Sequence, residues 1–205
     1  MVVLEQLPPL ARVETHGAMS EDSPSKKSRV CTFDGLMQIF GEISIESLCR
    51  LPQSLQSLTF GDEFNQSLEL VTLPRSLHTF TFGKIFNRSL ERMIFPSNLK
   101  NLTFGGEFNK SLDRVTLPSE LQRLTFRFGS FGFNQRLDLV TLPSGLQSLT
   151  LGDGFNQTLD QVTLPSSLEN LTFGFGFNQS LEPLTLPCHV HSISGRFRSV
   201  FVDSA

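Results

Sequence analysis

Histidine and cysteine are the side chains of this 205-residue chain that most readily do chemistry. Four histidines and three cysteines are present, and Cys188 lies directly beside His189. A thiol next to an imidazole can act as a nucleophile with its base, but such a site also needs a third group that orients the base. The sequence places no such group near the pair, so we predict that the protein is not an enzyme.

One acidic position recurs at regular intervals along the chain. Stacked carboxylates could form a groove for cations, but the chain lacks the Asp-x-Asp spacing of calcium loops. We expect these acids to be exposed and balanced by nearby Arg and Lys, and we predict neither a metal site nor a cofactor. The acids are Glu69, Glu91, Asp113, Asp138, Asp160 and Glu182.

Threonine recurs at two other positions with the same spacing. Threonine is the β-branched polar residue best suited to an exposed strand position, so a structural role explains both ranks. The alternative is a surface of hydroxyls that orders water or ice. Against this alternative, the position two residues before the first rank is too mixed for a repeating lattice. The first rank is Thr59, Thr81, Thr103, Thr125, Thr150 and Thr172; the second is Thr72, Thr116, Thr141, Thr163 and Thr185.

All of these positions belong to one internal repeat. Its prolines are 22 residues apart, except for one interval of 25 residues between Pro118 and Pro143. A fixed period in this range predicts a solenoid, in which each unit stacks on its neighbours to bury an apolar face. The prolines are Pro52, Pro74, Pro96, Pro118, Pro143, Pro165 and Pro187. We therefore predict six coils that form one elongated body.

Each unit contains two copies of the half-pattern L-x-x-[L/V]-T-[L/F]. Alternation of apolar residues with Thr is typical of a strand with one buried side. The fold class that we predict is therefore a mostly β solenoid with two short strands per coil. Proline ends the second strand, and glycine after the first half-pattern, as at Gly83 and Gly105, indicates a turn with positive φ.

A Phe-Asn pair follows the glycine in every unit. We expect the phenylalanines to form an internal column and the asparagines a buried ladder, because in-register amides can bond to the turn and along the stack. The column is Phe64, Phe86, Phe108, Phe133, Phe155 and Phe177. The ladder is Asn65, Asn87, Asn109, Asn134, Asn156 and Asn178.

The regions before and after the repeats define the predicted domain boundaries. Residues 1–29 are interpreted as a flexible arm. Residues 20–29 are polar and charged, so they cannot bury enough apolar surface to offset the entropy cost of becoming ordered. Residues 30–50 are predicted to cap the array of residues 51–187, with Leu36, Ile39 and Phe40 spaced as on one helical face. Residues 188–205 are predicted to form the C-terminal cap.

The repeated string LPxSLxxLTFGxxFNQxLxxVTLP resembles the FNIP repeat, a 22-residue relative of the leucine-rich repeats found in amoebae and other protists. This resemblance implies a curved solenoid like those of leucine-rich repeats (LRRs), and a role in protein interaction. Some members of that family carry an F-box or a kinase domain, and motifs of neither are visible here. The sequence departs from the pattern at Ile94 and near Arg127–Gly129, where three residues are added.

A protein partner is the predicted ligand, held on one face of the sheet. Surface positions that vary from coil to coil are not needed for stacking and are free to contact a partner. The predicted partner-binding residues are Ser57, Thr79, Lys100, Asn101, Arg123, Ser148 and Asn170, with Thr59, Thr103 and Thr125.

Composition narrows the class of partner. A net charge of −3 lacks the basic excess of a nucleic-acid binder, and no apolar run is long enough for a membrane span. We expect neither partner, nor a small-molecule ligand. Scattered cysteines fit no disulfide framework, and five ladder asparagines lie in Asn-x-Ser/Thr motifs, where a glycan would split the stack. We therefore predict a cytoplasmic protein.

Overall fold

A computed structural model describes residues 29–33, 36–40, 48–129, 132–182 and 184–195, with the backbone alone for the segments before residue 48. Within these ranges the chain forms one sheet of nine strands in sequence order. The strands are β1 Arg29–Phe33, β2 Leu36–Phe40, β3 Ser57–Phe60, β4 Thr79–Thr81, β5 Asn101–Phe104, β6 Arg123–Phe126, β7 Ser148–Leu151, β8 Asn170–Phe173 and β9 Ser192–Ser194.

Strands β2 to β9 run parallel, each beside the next in sequence. The register follows the repeat, so that Asn101 lies beside Arg123 and Thr103 beside Thr125. The longer unit keeps this order, with Arg123 beside Ser148. Equal spacing in sequence has therefore become equal position on the stack, which confirms the predicted LRR-like solenoid.

The prediction of two strands per coil is wrong, because each coil has one. The second half-pattern begins with a turn, in which the Val71 N–H donates to the Leu68 carbonyl at 3.0 Å. Only three residues then remain before Pro74, which lacks an N–H for a sheet ladder. Val71 and Leu73 are still buried. The apolar alternation therefore correctly indicated burial, but not strand pairing.

Three turns of this kind return each coil to its starting point. In the second coil the Leu77 N–H donates to Pro74, the Phe86 N–H to Gly83, and the Met93 N–H to Leu90, at 3.1, 3.4 and 3.0 Å. The same trio of acceptors, a proline, a glycine and a leucine, recurs in the neighbouring coils. The repeat therefore encodes three corners and one strand.

The glycine corner needs glycine for a reason other than the predicted one. The φ angles of Gly83 and Gly105 lie outside the left-handed region. A Cβ atom on Gly105 would instead lie 2.6 Å from the Gly83 carbonyl carbon and 2.8 Å from the Lys84 carbonyl oxygen. Glycine is required there because the backbones of successive coils approach too closely for any side chain.

The interior of the stack consists of leucine, valine, methionine and phenylalanine, and no polar residue is buried in the described part of the chain. The rings of Phe86, Phe108 and Phe133 stack with centroids 6.1 and 6.3 Å apart. Closer to the sheet, Phe82 and Phe104, and Phe104 and Phe126, stack at 5.2 Å, whereas Phe60 and Phe82 are tilted and 6.2 Å apart. Parallel strands are spaced about 4.8 Å apart. In the middle coils, where the rings of both columns stack, this widening indicates that the coils fan out away from the sheet, which therefore lines the concave side.

Within the predicted N-terminal cap, residues 36–40 form a strand rather than the helix that their spacing suggested. Strands β1 and β2 form an antiparallel hairpin, and Leu36 of β2 pairs with Ser57 of the first coil. The apolar positions of residues 36–40 thus serve a strand that extends the sheet. Residues 1–28 of the predicted arm lie outside the described residues, and Arg29 already belongs to β1.

The predicted C-terminal cap continues the array for one more strand. In β9, Ile193 pairs with Leu171 of the sixth coil, and the Val190 N–H donates to Pro187 in the usual proline turn at 3.1 Å. Residues 196–205 of the cap lie outside the described residues. The solenoid register thus extends beyond the predicted end of the array at residue 187.

Candidate partner-binding surface

In strands β3 to β9, the first residue of the strand and the residue before it both reach solvent. In the first coil the buried Leu55 and Leu58 enclose Gln56 and Ser57, both of which reach solvent. We call these two columns the polar strip. It comprises Gln56, Ser57, His78, Thr79, Lys100, Asn101, Gln122, Arg123, Gln147, Ser148, Glu169, Asn170, His191 and Ser192.

A shared backbone acceptor explains why both columns face solvent. The N–H groups of His78 and Thr79 donate to one carbonyl, that of Gln56, at 2.8 and 3.1 Å. The next coils repeat this arrangement as far as His191 and Ser192, which both donate to Glu169. Two residues thus occupy one step of the ladder, as in a β-bulge. The three-residue spacing of the two leucines is the sequence signal for this bulge.

The first threonine rank lies next to the polar strip on the same side of the sheet. Its members are half-buried, as Thr59, Thr103 and Thr125 are. The polar strip and this rank, extended by Ser194, form what we call the concave face. Two side-chain bonds link neighbouring coils across it, from Asn101 Nδ2 to the Thr79 hydroxyl at 3.2 Å and between Thr172 and Ser194 at 2.9 Å.

The structure brings all ten predicted partner-binding residues together on the concave face. Two of them, Lys100 and Arg123, are exposed cations near its middle. Arg127, which sequence reasoning did not select, lies just beyond the end of β6 and is also exposed. The alternation Arg-Leu-Thr-Phe-Arg over residues 123–127 is the signal that could have identified it.

The three added residues lie at the corner that follows β6. At this corner Phe128 is 58% exposed, and it borders a cavity of about 390 Å³. The cavity is lined by Asp62, Lys84, Gly106, Glu107, Arg127, Phe128 and Gly129. Sequence reasoning located the insertion but gave no role to Phe128 or to the charged side chains around it.

The asparagines form a ladder along the stack. The side-chain oxygen of Asn87 accepts the backbone N–H of Asn109 at 3.0 Å, and that of Asn109 accepts the N–H of Asn134 at 3.0 Å. The same bond joins Asn65 to Asn87, Asn134 to Asn156, and Asn156 to Asn178. The first five asparagines are half-buried and Asn178 is exposed, so the ladder is shallower than the predicted buried one.

A glutamine column that sequence reasoning missed supports the ladder. The amide nitrogens of Gln135, Gln157 and Gln179 donate to the Asn side-chain oxygen of the preceding coil at 2.9, 3.0 and 3.0 Å. The residue after the Phe-Asn pair is Gln in these coils, and this regularity was the available signal. Each such oxygen therefore accepts two hydrogen bonds.

The acid column lies on another corner and is fixed by serine and threonine. The backbone N–H of Asp113 donates to the Ser111 hydroxyl at 3.1 Å. The Thr158 hydroxyl donates to Asp160 and holds the pKa of that carboxyl below its ordinary value. Asp138 forms a 2.7 Å ion pair with Arg136, and its hydrogen bond raises the pKa of the Arg136 guanidinium. Among the described residues no group of three His, Cys, Asp or Glu side chains could hold a metal ion.

A model of the FNIP repeat matches residues 47–84, 86–128, 133–176 and 155–194. The structure is also similar to a solved one described as "The crystal structure of CroV588 a novel circular LRR protein structure", at 31% identity and a TM-score of 0.50. That similarity covers 74% of this chain and 29% of the other, so this chain spans less than a third of that protein.

The comparison with curated proteins gives no match. Within the segments that the structure describes, no helix has the length and apolar character needed to cross a membrane. The repeat model covers more than half of the chain, and the coil geometry agrees with that of a leucine-rich repeat protein. The chain therefore belongs to the FNIP repeat family.

Proposed function

We propose that this protein is a non-catalytic interaction module that holds a protein partner on its concave face. The observation that carries this proposal is the contrast between the two sides of each strand. Below the sheet the same leucine and phenylalanine positions recur in every coil. Above it the polar strip changes from Ser57 to Thr79, Asn101 and Arg123, and such variation does not disturb the stacking.

The alternative function is a structural surface that orders water or ice through the threonine ranks. Six first-rank threonines in register support it. The fanning of the coils disfavours it, because a lattice match needs a flat surface with constant spacing. The mixed side chains of the polar strip beside the rank disfavour it further. Thermal hysteresis of the purified protein would support this alternative.

The remaining parts of the proposal concern chemistry and location. A non-enzymatic role without a cofactor agrees with the placement of His189 beside Cys188, both exposed at the end of the array. Cys49 and Cys188 carry free thiols, which suits the reducing cytoplasm that we propose as the compartment. We expect the partner to be a protein rather than a nucleic acid, a membrane or a small molecule.

Affinity capture with matched variants tests the proposed function. Ser57→Glu with Ser148→Glu adds two bulky anions to the concave face, whereas Thr116→Glu with Thr163→Glu adds the same charge to the exposed second threonine rank. We expect proteins identified by mass spectrometry to be retained by the wild type and the second pair, and lost from the first. Capture of nothing above background, or equal loss from both pairs, would refute the proposal.

A further inference from the structure

We propose that the concave face recognises an extended peptide segment that carries an acidic residue and, about four residues away, a large apolar residue. The acidic residue would bind between Arg123 and Lys100, and the apolar residue would enter the cavity beside Phe128. This inference rests on the proposed function and specifies the chemistry of its partner.

Arg123, the first residue of β6, and Arg127, just beyond the end of β6, lie in one line. Arg123 and Arg127 are exposed, Thr125 between them is half-buried, and the intervening Leu124 and Phe126 are buried. The Arg127 N–H donates to the Phe104 carbonyl at 3.0 Å, so the strand direction continues to that residue. Four residues of strand extend about 13 Å. The two ends of β6 can therefore contact two side chains of one extended peptide.

Lys100 adds a second cation beside Arg123. The backbone N–H groups of Gln122 and Arg123 both donate to the Lys100 carbonyl, at 2.8 and 2.9 Å, so the two cationic residues belong to adjacent coils. Arg and Lys side chains from neighbouring strands can both reach one carboxylate, and the planar guanidinium can bind it through two parallel hydrogen bonds.

Lys100 and Arg123 form no ion pair with an acid among the described residues, unlike two arginines elsewhere in the array. Ion pairs are formed by Arg92 with Glu69 at 3.6 Å and by Arg136 with Asp138 at 2.7 Å, both away from the concave face. The polar strip has one acid, Glu169, two coils beyond Arg123. A chain with a net charge of −3 thus has a local positive surplus here. Charge complementarity selects an acidic partner.

The other end of the site is a cavity bordered by an exposed aromatic ring. Phe128 and Phe175 are exposed, whereas the other phenylalanines between residues 48 and 195 whose burial the structure describes are buried. Phe128 borders the cavity of about 390 Å³ together with Lys84, Glu107 and Arg127. Charges of both signs line this cavity, so it gives no net attraction for an acid. Its size and the exposed ring favour an apolar side chain.

A single-stranded nucleic acid is the alternative extended polymer that carries negative charge. Tight binding of its backbone takes several phosphate contacts, and stacking platforms hold its bases. Here Asp62, Glu107 and Glu169 would repel phosphates, and the chain has no Trp or Tyr. A peptide with one or two carboxylates therefore fits this surface better.

Selection from a displayed library of random linear peptides on the full chain tests the inference. We expect enrichment of peptides with Asp or Glu three to five residues from Leu, Ile, Met or Phe. Fluorescence anisotropy with an enriched peptide should show binding that weakens with added salt. Lys100→Gln with Arg123→Gln should weaken it by about tenfold or more, and Phe128→Ser should also weaken it. Arg75→Gln with Arg114→Gln, an equal charge change elsewhere, should have no effect.

Several results would overturn the inference. These are enrichment of neutral or basic peptides, the same peptides enriched on the Lys100→Gln, Arg123→Gln variant, no enrichment at all, or displacement of the peptide by an oligothymidylate at equal concentration. Unchanged melting temperatures of the variants would exclude misfolding as the cause of weaker binding. If peptide selection fails while protein capture is still lost from the Ser57→Glu, Ser148→Glu variant, the proposed function stands and the acidic-peptide inference falls.

Discussion

Replacement of Asn109 by leucine tests the asparagine ladder at its centre. The Asn109 side-chain oxygen accepts the Asn134 N–H at 3.0 Å and the Gln135 amide at 2.9 Å. Leucine has a similar volume and no acceptor, so the Asn134 N–H loses its partner while the Gln135 side chain can turn to solvent. An orphaned donor costs about 1 to 3 kcal/mol. The half-buried position favours the lower part of this range, about 1 to 2 kcal/mol.

The expected readout is a lower melting temperature with local loss of amide protection. A loss of 1 to 2 kcal/mol corresponds to a decrease of about 2 to 8 °C for a chain of this size. Circular dichroism measures the melting temperature, and hydrogen exchange locates the change. We expect the Asn134 amide to exchange faster, while the Asn109 amide, which donates to Asn87, stays protected.

Asn98→Leu is the matched control for this substitution. Asn98 is exposed and donates to the Arg75 carbonyl at 3.1 Å, a bond that water can replace. We expect this variant to change stability by less than about 0.5 kcal/mol. An equal decrease in melting temperature for both variants, or a protected Asn134 amide in the Asn109→Leu protein, would refute the role of the ladder.

Three further substitutions test other parts of the stack. Phe108→Ala removes a ring stacked on Phe86 and Phe133. We expect it to lower the free energy of unfolding, measured by chemical denaturation, by about 3 to 5 kcal/mol. Phe128→Ala at the exposed corner should change this free energy by less than about 0.5 kcal/mol. Gly105→Ala should lower the melting temperature strongly, and Gly145→Ala should not, because a Cβ on Gly145 has its nearest neighbour, the Ser119 carbonyl oxygen, at 3.7 Å. Thr158→Val should raise the pKa of Asp160 toward its ordinary value, because the Thr158 hydroxyl bond lowers it; an unchanged NMR titration would contradict this.

The period was the part of the fold that the sequence could determine. Every coil has the same length except one, so a residue such as Asn101 had to lie beside its equivalent, Arg123. Burial was also predictable, because alternating apolar residues must face the core of a thin solenoid. Strand pairing was not predictable from the alternation. Residues 71–73 are buried, exposed and buried in turn, yet they form no β-ladder with a neighbouring coil.

The features that sequence reasoning missed depend on distances between coils. Glycine at residue 105 indicates either a special φ or a close contact, and only the position of the Gly83 backbone decides between them. Likewise, the spacing of Leu36, Ile39 and Phe40 fits a helix face, but the neighbouring strand β3 offers hydrogen bonds that favour the strand β2. The cavity beside Phe128 is lined by residues of several successive coils, and the repeat pattern contains no signal for their approach.

The inserted corner shows how such a solenoid can gain an exposed aromatic ring without losing its stack. Phe133 follows Phe108 by 25 residues rather than 22, yet their rings stack at 6.3 Å with planes 7° apart. The Asn134 N–H likewise reaches Asn109, and the Gly132 N–H donates to the Gly129 carbonyl at 3.2 Å. The added residues therefore leave the columns in register and expose Phe128. A corner that tolerates extension in this way is where a repeat array can acquire specificity, since the core positions are fixed by their neighbours above and below.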